Sequence, residues 1–526
     1  MKRILIPGAA LLAAVLSCTR AAFPPVCGSP LPQPDEFAVD SSSYFTLCSP
    51  LAVIPTDESL NDVAGIFSEE FKAQTGCDTE VRRRAGKGIV LKISGKEPEA
   101  YAIDAGPGGI TVSGTDPQAV YRGLTTLRQI VGVPDTERVR LPSMTVTDAP
   151  VYAWRGLSLD VSRHFLSKEE VCRVIDMMAL YKLNVLHLHL TDNQGWRIEI
   201  PGYPALTPGT DHYSLADFRE IVSYAGDHFV TVVPEIDLPG HTKAVFDAFP
   251  DFPNAASSPL PFDLPGQAIA CLDPDDEATM QFVTTVIDLL CGMAPGEYVH
   301  IGGDETFGMN DDKYGRFVVA VKEMVRVRGK KVAGWQEMAR AGVDSLDLVQ
   351  HWIRFSSKQR DEDRAPEPSI PLEVRKMLGA TYLKAPSDLR LAQEAGAGII
   401  LSPNAWAYLD CPFEESSTDA GQNLVRERLG LRQYAAQSLT ELYDWEPAEI
   451  YKDFNVVGLE AAVWCETVTC DGDLEMLLLP RLAGVAERAW SHPEDLSCDD
   501  YLSRLASQAA IWEKEGWDYF KVDSVF

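Results

Sequence analysis

The sequence predicts an α/β protein, a (β/α)8 barrel preceded by a small α+β domain. Three observations carry that reading. After residue 150, apolar strand-like runs recur eight times, each followed by a helix or a loop. Before it, shorter strands alternate with glycine-rich turns and one amphipathic helix. The length of 526 residues leaves room for both units, since a barrel alone absorbs ~250 residues or more.

The elements follow in chain order. "MKRILIPGAALLAAVLSC" (1–18) has a short cationic start, an apolar run and a small-residue end. That is an export signal, too short to span a membrane as a mature helix. "VLSC" resembles a bacterial lipobox, which makes Cys18 the acylated first residue of the mature chain; plain secretion is the alternative. Residues 19–49, rich in Pro and Ser, read as a tether. Residues 50–148 form the small domain, with strands at 88–94 and 108–114. Its helix spans 116–131, with Asp116 as N-cap and Pro117 at the first helical position. No later stretch is long and apolar enough for a membrane span.

Residues 149–526 form the barrel and its C-terminal helices. The predicted barrel strands are 155–161, 184–192, 229–237, 298–305, 330–337, 347–353, 398–404 and 456–464. The first helix, 167–182, opens on a capping box of Ser167 and Glu170. Further helices fit 214–228, 273–291, 313–329 and 474–490. An open doubly wound sheet is the runner-up, but it needs a glycine-rich phosphate loop after its first strand, and "RGLSLDVSRHF" supplies none.

The net charge of −30 argues against nucleic acid as a partner, because phosphate binding needs clustered Lys and Arg. Eleven cysteines at irregular spacings never form CxxC. Cys465 and Cys470 are close enough to consider as a bridge, and scattered buried thiols are the alternative.

A barrel places its active site at the C-terminal strand ends. Here those ends collect acids and aromatics: Asp192 and Trp196, Glu235 and Asp237 with His241, Asp304 and Glu305, Trp335 and Glu337, Trp352, Tyr408 and Asp410, Trp464 and Glu466. Carboxylates beside tryptophans suit a sugar, whose C–H faces lie on indoles and whose hydroxyls bond carboxylates. Glycoside cleavage needs a proton for the leaving oxygen and a stabilised positive ring. In "HIGGDE" (300–305), one carboxyl of the adjacent pair is then the acid and the other stays charged. Neighbours on an extended chain point to opposite sides, so the two roles separate there. The bland reading of a lone "GGDE" is a surface turn. His187 and His189 share one strand face, where buried, hydrogen-bonded histidines are the common outcome. "HLH" with His241, His300 and Asp304 also resembles a metal-dependent amidohydrolase set, but that set wants its HxH at the end of the first barrel strand. Arg155, at the start of the first strand, has a buried ion pair as its bland reading.

Taken together, "WRGLSLDVSRHF" (154–165), "KLNVLHLHLTDNQGWRIEI" (182–200), "VVPEIDLPGHTKA" (232–244), "HIGGDE", "GWQE" (334–337), "YLD" (408–410) and "GLEAAVWCE" (458–466) resemble glycoside hydrolase family twenty, the β-N-acetylhexosaminidases. The segment 50–148 resembles the domain that precedes the barrel in that family. The resemblance implies a retaining exo-enzyme that removes terminal β-linked GlcNAc or GalNAc from glycans, with no cofactor and no metal. The substrate's own 2-acetamido oxygen is the implied nucleophile, giving an oxazolinium ion. By motif, Glu305 is the implied acid/base and Asp304 the partner of the acetamido N–H. Asp192 and His241 are an implied relay to Glu305. Arg155, with Glu466, is the implied binder of the 3- and 4-hydroxyls. Trp335, Trp352 and Trp464 would enclose the sugar, Tyr408 would bond the acetamido oxygen, and Asp410 the 6- or 4-hydroxyl. Many members carry a second Asp where this chain has Asn193. The export signal and the lipobox, apart from the resemblance, imply a bacterial cell envelope, with membrane contact only through Cys18. A catalytically dead sugar-binding protein is the rival from another class.

Overall fold

The computed structural model describes residues 27–83, 86–135, 138–256, 270–354 and 372–526. The export segment and Cys18 lie outside the described residues. The small domain is a seven-stranded mixed sheet made of β1 (Glu36–Leu47), β2 (Leu51–Pro55), β3 (Thr79–Val81), β4 (Ile89–Ile93), β5 (Tyr101–Gly106), β6 (Gly109–Gly114) and β7 (Val139–Asp148). Its order is β1-β7-β5-β6-β4-β2-β3. Helices α1 (Asn61–Thr75) and α2 (Pro117–Val131) pack on the sheet. Asp116 caps α2 as expected, accepting the N–H of Ala119 at 2.8 Å, with Pro117 beside it. The expected tether is corrected in part. Residues 36–47 form β1, which pairs antiparallel with β7 from Glu36↔Thr147 to Leu47↔Val139. This strand sits at the sheet edge and is largely exposed, so it carries no apolar alternation to announce it.

The barrel closes on eight parallel strands: β8 (Trp154–Asp160), β9 (Val185–His189), β12 (Thr231–Glu235), β13 (Tyr298–His300), β14 (Lys331–Trp335), β15 (Leu348–His351), β16 (Gly398–Leu401) and β17 (Val456–Val463). A two-residue ribbon, β10 (Thr191–Asp192) with β11 (Gly195–Trp196), stands on the rim after β9. Each predicted strand is present. Helices α3 (Lys168–Leu180) and α4 (Leu215–Asp227) follow β8 and β9, α5 (Lys243–Ala248) and α6 (Glu277–Met293) both follow β12, α7 (Asp311–Arg326) follows β13, and α8 (Leu372–Glu394) follows β15, while β14 leads into a 3-10 turn, Gln336–Ala341. The capping box of Ser167 and Glu170 opens α3 as predicted. The helix expected over 474–490 is two, Asp471–Leu478 and Arg481–Trp490. Pro480 lies at the join, where it has no N–H to continue the ladder.

The barrel interior holds charge as well as aliphatic side chains. Glu460 is fully buried and accepts from Trp154 Nε1 (2.7 Å) and Gln350 Nε2 (2.8 Å), and lies 2.8 Å from His187 Nδ1. Gly156 makes room for it, since a Cβ there would stand 2.4 Å from Glu460 Oε2. Buried polar groups of this kind persist only when satisfied, and then they fix one arrangement. Polar contacts also join the small domain to the N-terminal face of the barrel. Arg122 donates to the carbonyls of Leu183 (3.3 Å) and Phe229 (2.9 Å). Lys182 lies 2.9 Å from Asp148 under the indole of Trp490.

Candidate active site

The two glycines before the acid pair have a steric cause. Gly302 has φ +69°, and a Cβ there would fall 1.8 Å from Asp237 Oδ1. That same oxygen accepts the N–H of Gly303 at 3.0 Å. The chain leaves β13 in a tight turn over Asp237, and only glycine fits it. Glu305 follows at φ +43°, in the left-handed region. The expectation that Asp304 and Glu305 point to opposite sides is therefore corrected. An extended chain alternates, whereas this turn brings Asp304 Oδ2 and Glu305 Oε2 each 3.7 Å from one atom, Nε2 of His241. His241 is itself at φ +52°. Non-glycine residues held this way cost ~1–3 kcal/mol each and cluster at functional sites.

Asp192 supports His241 from below, with Oδ1 3.1 Å from Nδ1. The other oxygen, Oδ2, meets Arg163 Nη2 at 2.6 Å and His189 Nε2 at 3.1 Å. His189 in turn bonds Glu235, which accepts Trp335 Nε1–H at 2.8 Å. His187 and His189 are thus buried and engaged.

The electrostatics follow from burial and neighbours. Burial pushes the carboxyl of Glu305 up to about 7, against the pull of His241, so it holds a proton near neutrality. Burial disfavours charge on His241, but the carboxylates of Asp192 and Asp304 outweigh it and raise the imidazole well above its ordinary value. Burial would likewise raise Asp192, but Arg163 and His241 hold it well below the usual range. Two adjacent carboxyls in one cluster, one protonated and the other beside a cationic imidazole, suit an acid and a charge stabiliser.

The predicted sugar-binding residues divide. Trp335, Trp352, Tyr408 and Trp464 form one aromatic cluster. Trp464 is 5.9 Å from Trp335 and 6.0 Å from Tyr408, ring to ring. Asp410 is buried and neither carboxylate oxygen has a hydrogen-bond partner among the described residues. Burial, then the charge of Glu466, raises its carboxyl well above the usual range. Burial also raises Glu466, opposed by Arg163. Trp196 does not join them: its indole packs on Phe282 and donates to the carbonyl of Ile198.

Arg155 is the correction that matters most. It is the second residue of β8, five residues before Asp160, about 17 Å from the rim at ~3.3 Å per residue. Its guanidinium pairs with Glu99 of the small domain at 2.6 Å and donates to the carbonyls of Tyr152 and Lys182. It binds the two domains together and cannot reach a sugar. The arginine at the rim is Arg163. Asp160, the last residue of β8, accepts the N–H groups of Ser162 (2.8 Å) and Arg163 (3.1 Å) and turns the chain inward. Arg163 then lies 5.1 Å over the Trp464 ring, within the field of Glu466, with Nε buried and without a hydrogen-bond partner among the described residues. The same quoted motif contains both arginines; position relative to the strand's C-terminal end separates them.

Among the described residues, three sets approach closely enough to share an ion: His187, Glu235 and His300; His189, Asp192 and Asp237; Asp237, His241 and Asp304. Their donor atoms largely serve one another. His300 Nδ1 accepts the N–H of Gly302, and Glu235 lies against His187, His189 and His300. All described cysteines, Cys465 and Cys470 included, are free thiols.

The model of glycosyl hydrolase family 20, catalytic domain, matches residues 152–370 and 373–493, and that of family 20, domain 2, matches 30–149. The chain belongs to glycosyl hydrolase family 20. It is 34% identical over 497 residues to a beta-N-acetylhexosaminidase of Cellulomonas fimi, covering 91% of this chain and 92% of that one. The family 20 beta-N-acetylhexosaminidase of Streptomyces coelicolor A3(2) superposes with a TM-score of 0.79 at 30% identity, covering 94% and 98% of the two chains. A mutant Streptomyces plicatus beta-hexosaminidase in complex with product GlcNAc superposes at 0.78 with 31% identity, covering 94% and 97%. This family 20 chain is a glycoside hydrolase of the β-N-acetylhexosaminidase type.

Proposed function

We propose that this family 20 enzyme is a retaining exo-hydrolase of terminal β-linked GlcNAc or GalNAc that uses the substrate's acetamido group as nucleophile. The observation that carries the reading is Asp304 Oδ1, buried beside the acid Glu305 and accepting no hydrogen bond from any described residue. An acetamido N–H is the donor such an oxygen needs. Asp304 would orient that N–H while the amide oxygen attacks the anomeric carbon. The glycosidic C–O bond breaks as Glu305 gives its proton to the leaving oxygen. Water then attacks the same carbon, Glu305 takes a proton back, and the oxazolinium ring opens. Both displacements invert, so configuration is retained. Arg163 and Glu466 take over the hydroxyl-binding role first assigned to Arg155, while Tyr408, Asp410 and the tryptophans keep theirs. The product complex of the Streptomyces plicatus relative supports the substrate class. Attack within one molecule supplies the effective concentration that a protein nucleophile would otherwise provide.

The test is a pair of aryl β-glycosides that differ only in a 2-acetamido or a 2-hydroxyl group. Loss of the acetamido arm should lower kcat/KM at least ~1000-fold. Equal rates on the two would remove the reading. The sequence extends it to the bacterial envelope: the cationic start, apolar run and "VLSC" of residues 1–18 support export and a lipid anchor at Cys18.

A further inference from the structure

The loop that carries Tyr408 and Asp410 leaves β16 at the C-terminal rim and is buried, so its main-chain carbonyls need donors. Most of those donors sit on one side chain from outside the rim. Arg481, the first residue of the helix Arg481–Trp490, donates from Nη1 to the carbonyls of Leu409 (2.9 Å) and Cys411. From Nη2 it donates to the carbonyls of Pro412 and Gln437, both at 3.2 Å. The carbonyl of Asp410 accepts the N–H of Leu431 at 2.8 Å. Every carbonyl from residue 409 to residue 412 is thus satisfied, and Arg481 serves all of them except that of Asp410.

Arg481 is 2% exposed, and these four acceptors are neutral carbonyls rather than carboxylates. Burial lowers its guanidinium to about 10, which leaves it charged at neutrality. A buried cation whose hydrogen-bond acceptors are all neutral is costly, and a site that needed only bulk would be better served by an apolar side chain. What the guanidinium adds is a planar fork of donors that can hold several carbonyls at once. Phe413 lies against that plane, with its ring centre 3.4 Å from the guanidinium carbon. Tyr408 has a separate support. Leu409 N–H donates to the carbonyl of Ala462, and Ala462 N–H to that of Ala407, each at 2.8 Å, so Tyr408 rides on β17. Asp410 is held instead through the carbonyls of Leu409 and Cys411 on either side of it.

We infer that Arg481 is a positioning residue for Asp410: from the outer helix it holds the peptides on both sides of that carboxyl and thereby sets where the site recognises a ring hydroxyl of the sugar; this rests on the glycosidase reading above. Both oxygens of Asp410 are buried and free of partners among the described residues, so nothing in its own side chain fixes its aim. A carboxyl that must meet one hydroxyl depends on its main chain to stay within hydrogen-bond reach. Lysine in place of Arg481 keeps the charge but presents a single ammonium, which cannot span the carbonyls of Leu409, Cys411 and Pro412 together. Glu305, His241 and Asp192 share no hydrogen bond with Arg481, so the acid and its relay lie outside this arrangement.

The experiment uses aryl β-glycosides of GlcNAc and of its 4-deoxy and 6-deoxy forms. The measured quantity is the ratio of kcat/KM on the parent sugar to that on each deoxy sugar, which does not depend on how much of a variant is folded. Asp410→Ala identifies the hydroxyl that Asp410 reads, because the ratio for that hydroxyl collapses. Arg481→Lys and Arg481→Met should each lower the same ratio at least ~5-fold, and neither should lower it further once Asp410 is Ala. The alkaline limb of the pH–rate profile should stay where it is in the unaltered enzyme. An equal fall on parent and deoxy sugars overturns the inference, as does an additive loss in the double variants, a shifted alkaline limb, or a lack of folded enzyme from both Arg481 variants, which would leave Arg481 a folding role alone. Failure of the unaltered enzyme on the parent glycoside would instead overturn the glycosidase reading.

Discussion

Nε2 of His241 stands 3.7 Å from Glu305 Oε2, and its Nδ1 stands on Asp192. A cation held at that distance lowers the carboxyl it faces. The protonated acid is the active form, so kcat/KM should fall as pH rises through about 7, the value to which burial pushes Glu305. His241→Ala removes the lowering influence. The alkaline limb should then move to higher pH while the maximal rate drops at least tenfold. A pH–rate profile of kcat/KM on an aryl GlcNAc glycoside reads both; a limb that stayed in place would separate His241 from the acid.

Glu305→Gln keeps the shape of the side chain and loses the proton. Turnover of an alkyl or glycosyl substrate should fall by ~100–10,000-fold, with little change in binding of free GlcNAc. Asp304→Asn should be slow even on activated aryl glycosides, because the positive ring loses its counter-charge. Comparing the two variants across leaving groups of graded pKa distinguishes the roles.

The two arginines of the first motif should behave oppositely. Arg163→Ala should lower kcat/KM by ~100-fold or more with a modest loss of stability, since it lies at the rim beside Asp192 and Glu466. Arg155→Ala leaves Glu99 short of a buried partner, and breaking such a pair costs ~3–5 kcal/mol. Its effect should appear as a lowered melting temperature, with kcat/KM of the folded fraction retained. Calorimetry beside steady-state kinetics decides it.

Gly302→Ala should disable the enzyme without any change of charge. The added Cβ would meet Asp237 at 1.8 Å and the backbone at φ +69° resists it. We expect both a lower melting temperature and a loss of activity of at least tenfold, as the Asp304–Glu305 turn is displaced. Normal activity would mean that the turn has more freedom than its packing indicates.

The parts of this molecule legible in the sequence are those governed by period and local chemistry. Apolar strand runs, Asp116 and the Ser167–Glu170 box follow from rules that act within a few residues. Pro480 was in view as well, yet the helix expected over 474–490 ran through it, where the chain forms two. The edge strand 36–47 was hidden because exposure on both faces removes the alternation a reader looks for. The side-by-side action of Asp304 and Glu305 was hidden because a positive φ at Glu305 depends on what surrounds it, here Asp237 and two glycines. Arg163 was overlooked although strand direction alone distinguishes it from Arg155. Glu337 appeared at a strand end, yet nothing local tells that one of its oxygens stays without a donor.

Arg155 and Lys182 lie on the barrel, while Glu99 and Asp148, which answer them, lie in the preceding domain. Severing the chain between the two halves would strand two cations beneath the indole of Trp490 with nothing opposite. The halves must therefore be inherited, transplanted or recombined as one cassette, and a minimal catalytic fragment starting near residue 150 would need new residues at both positions.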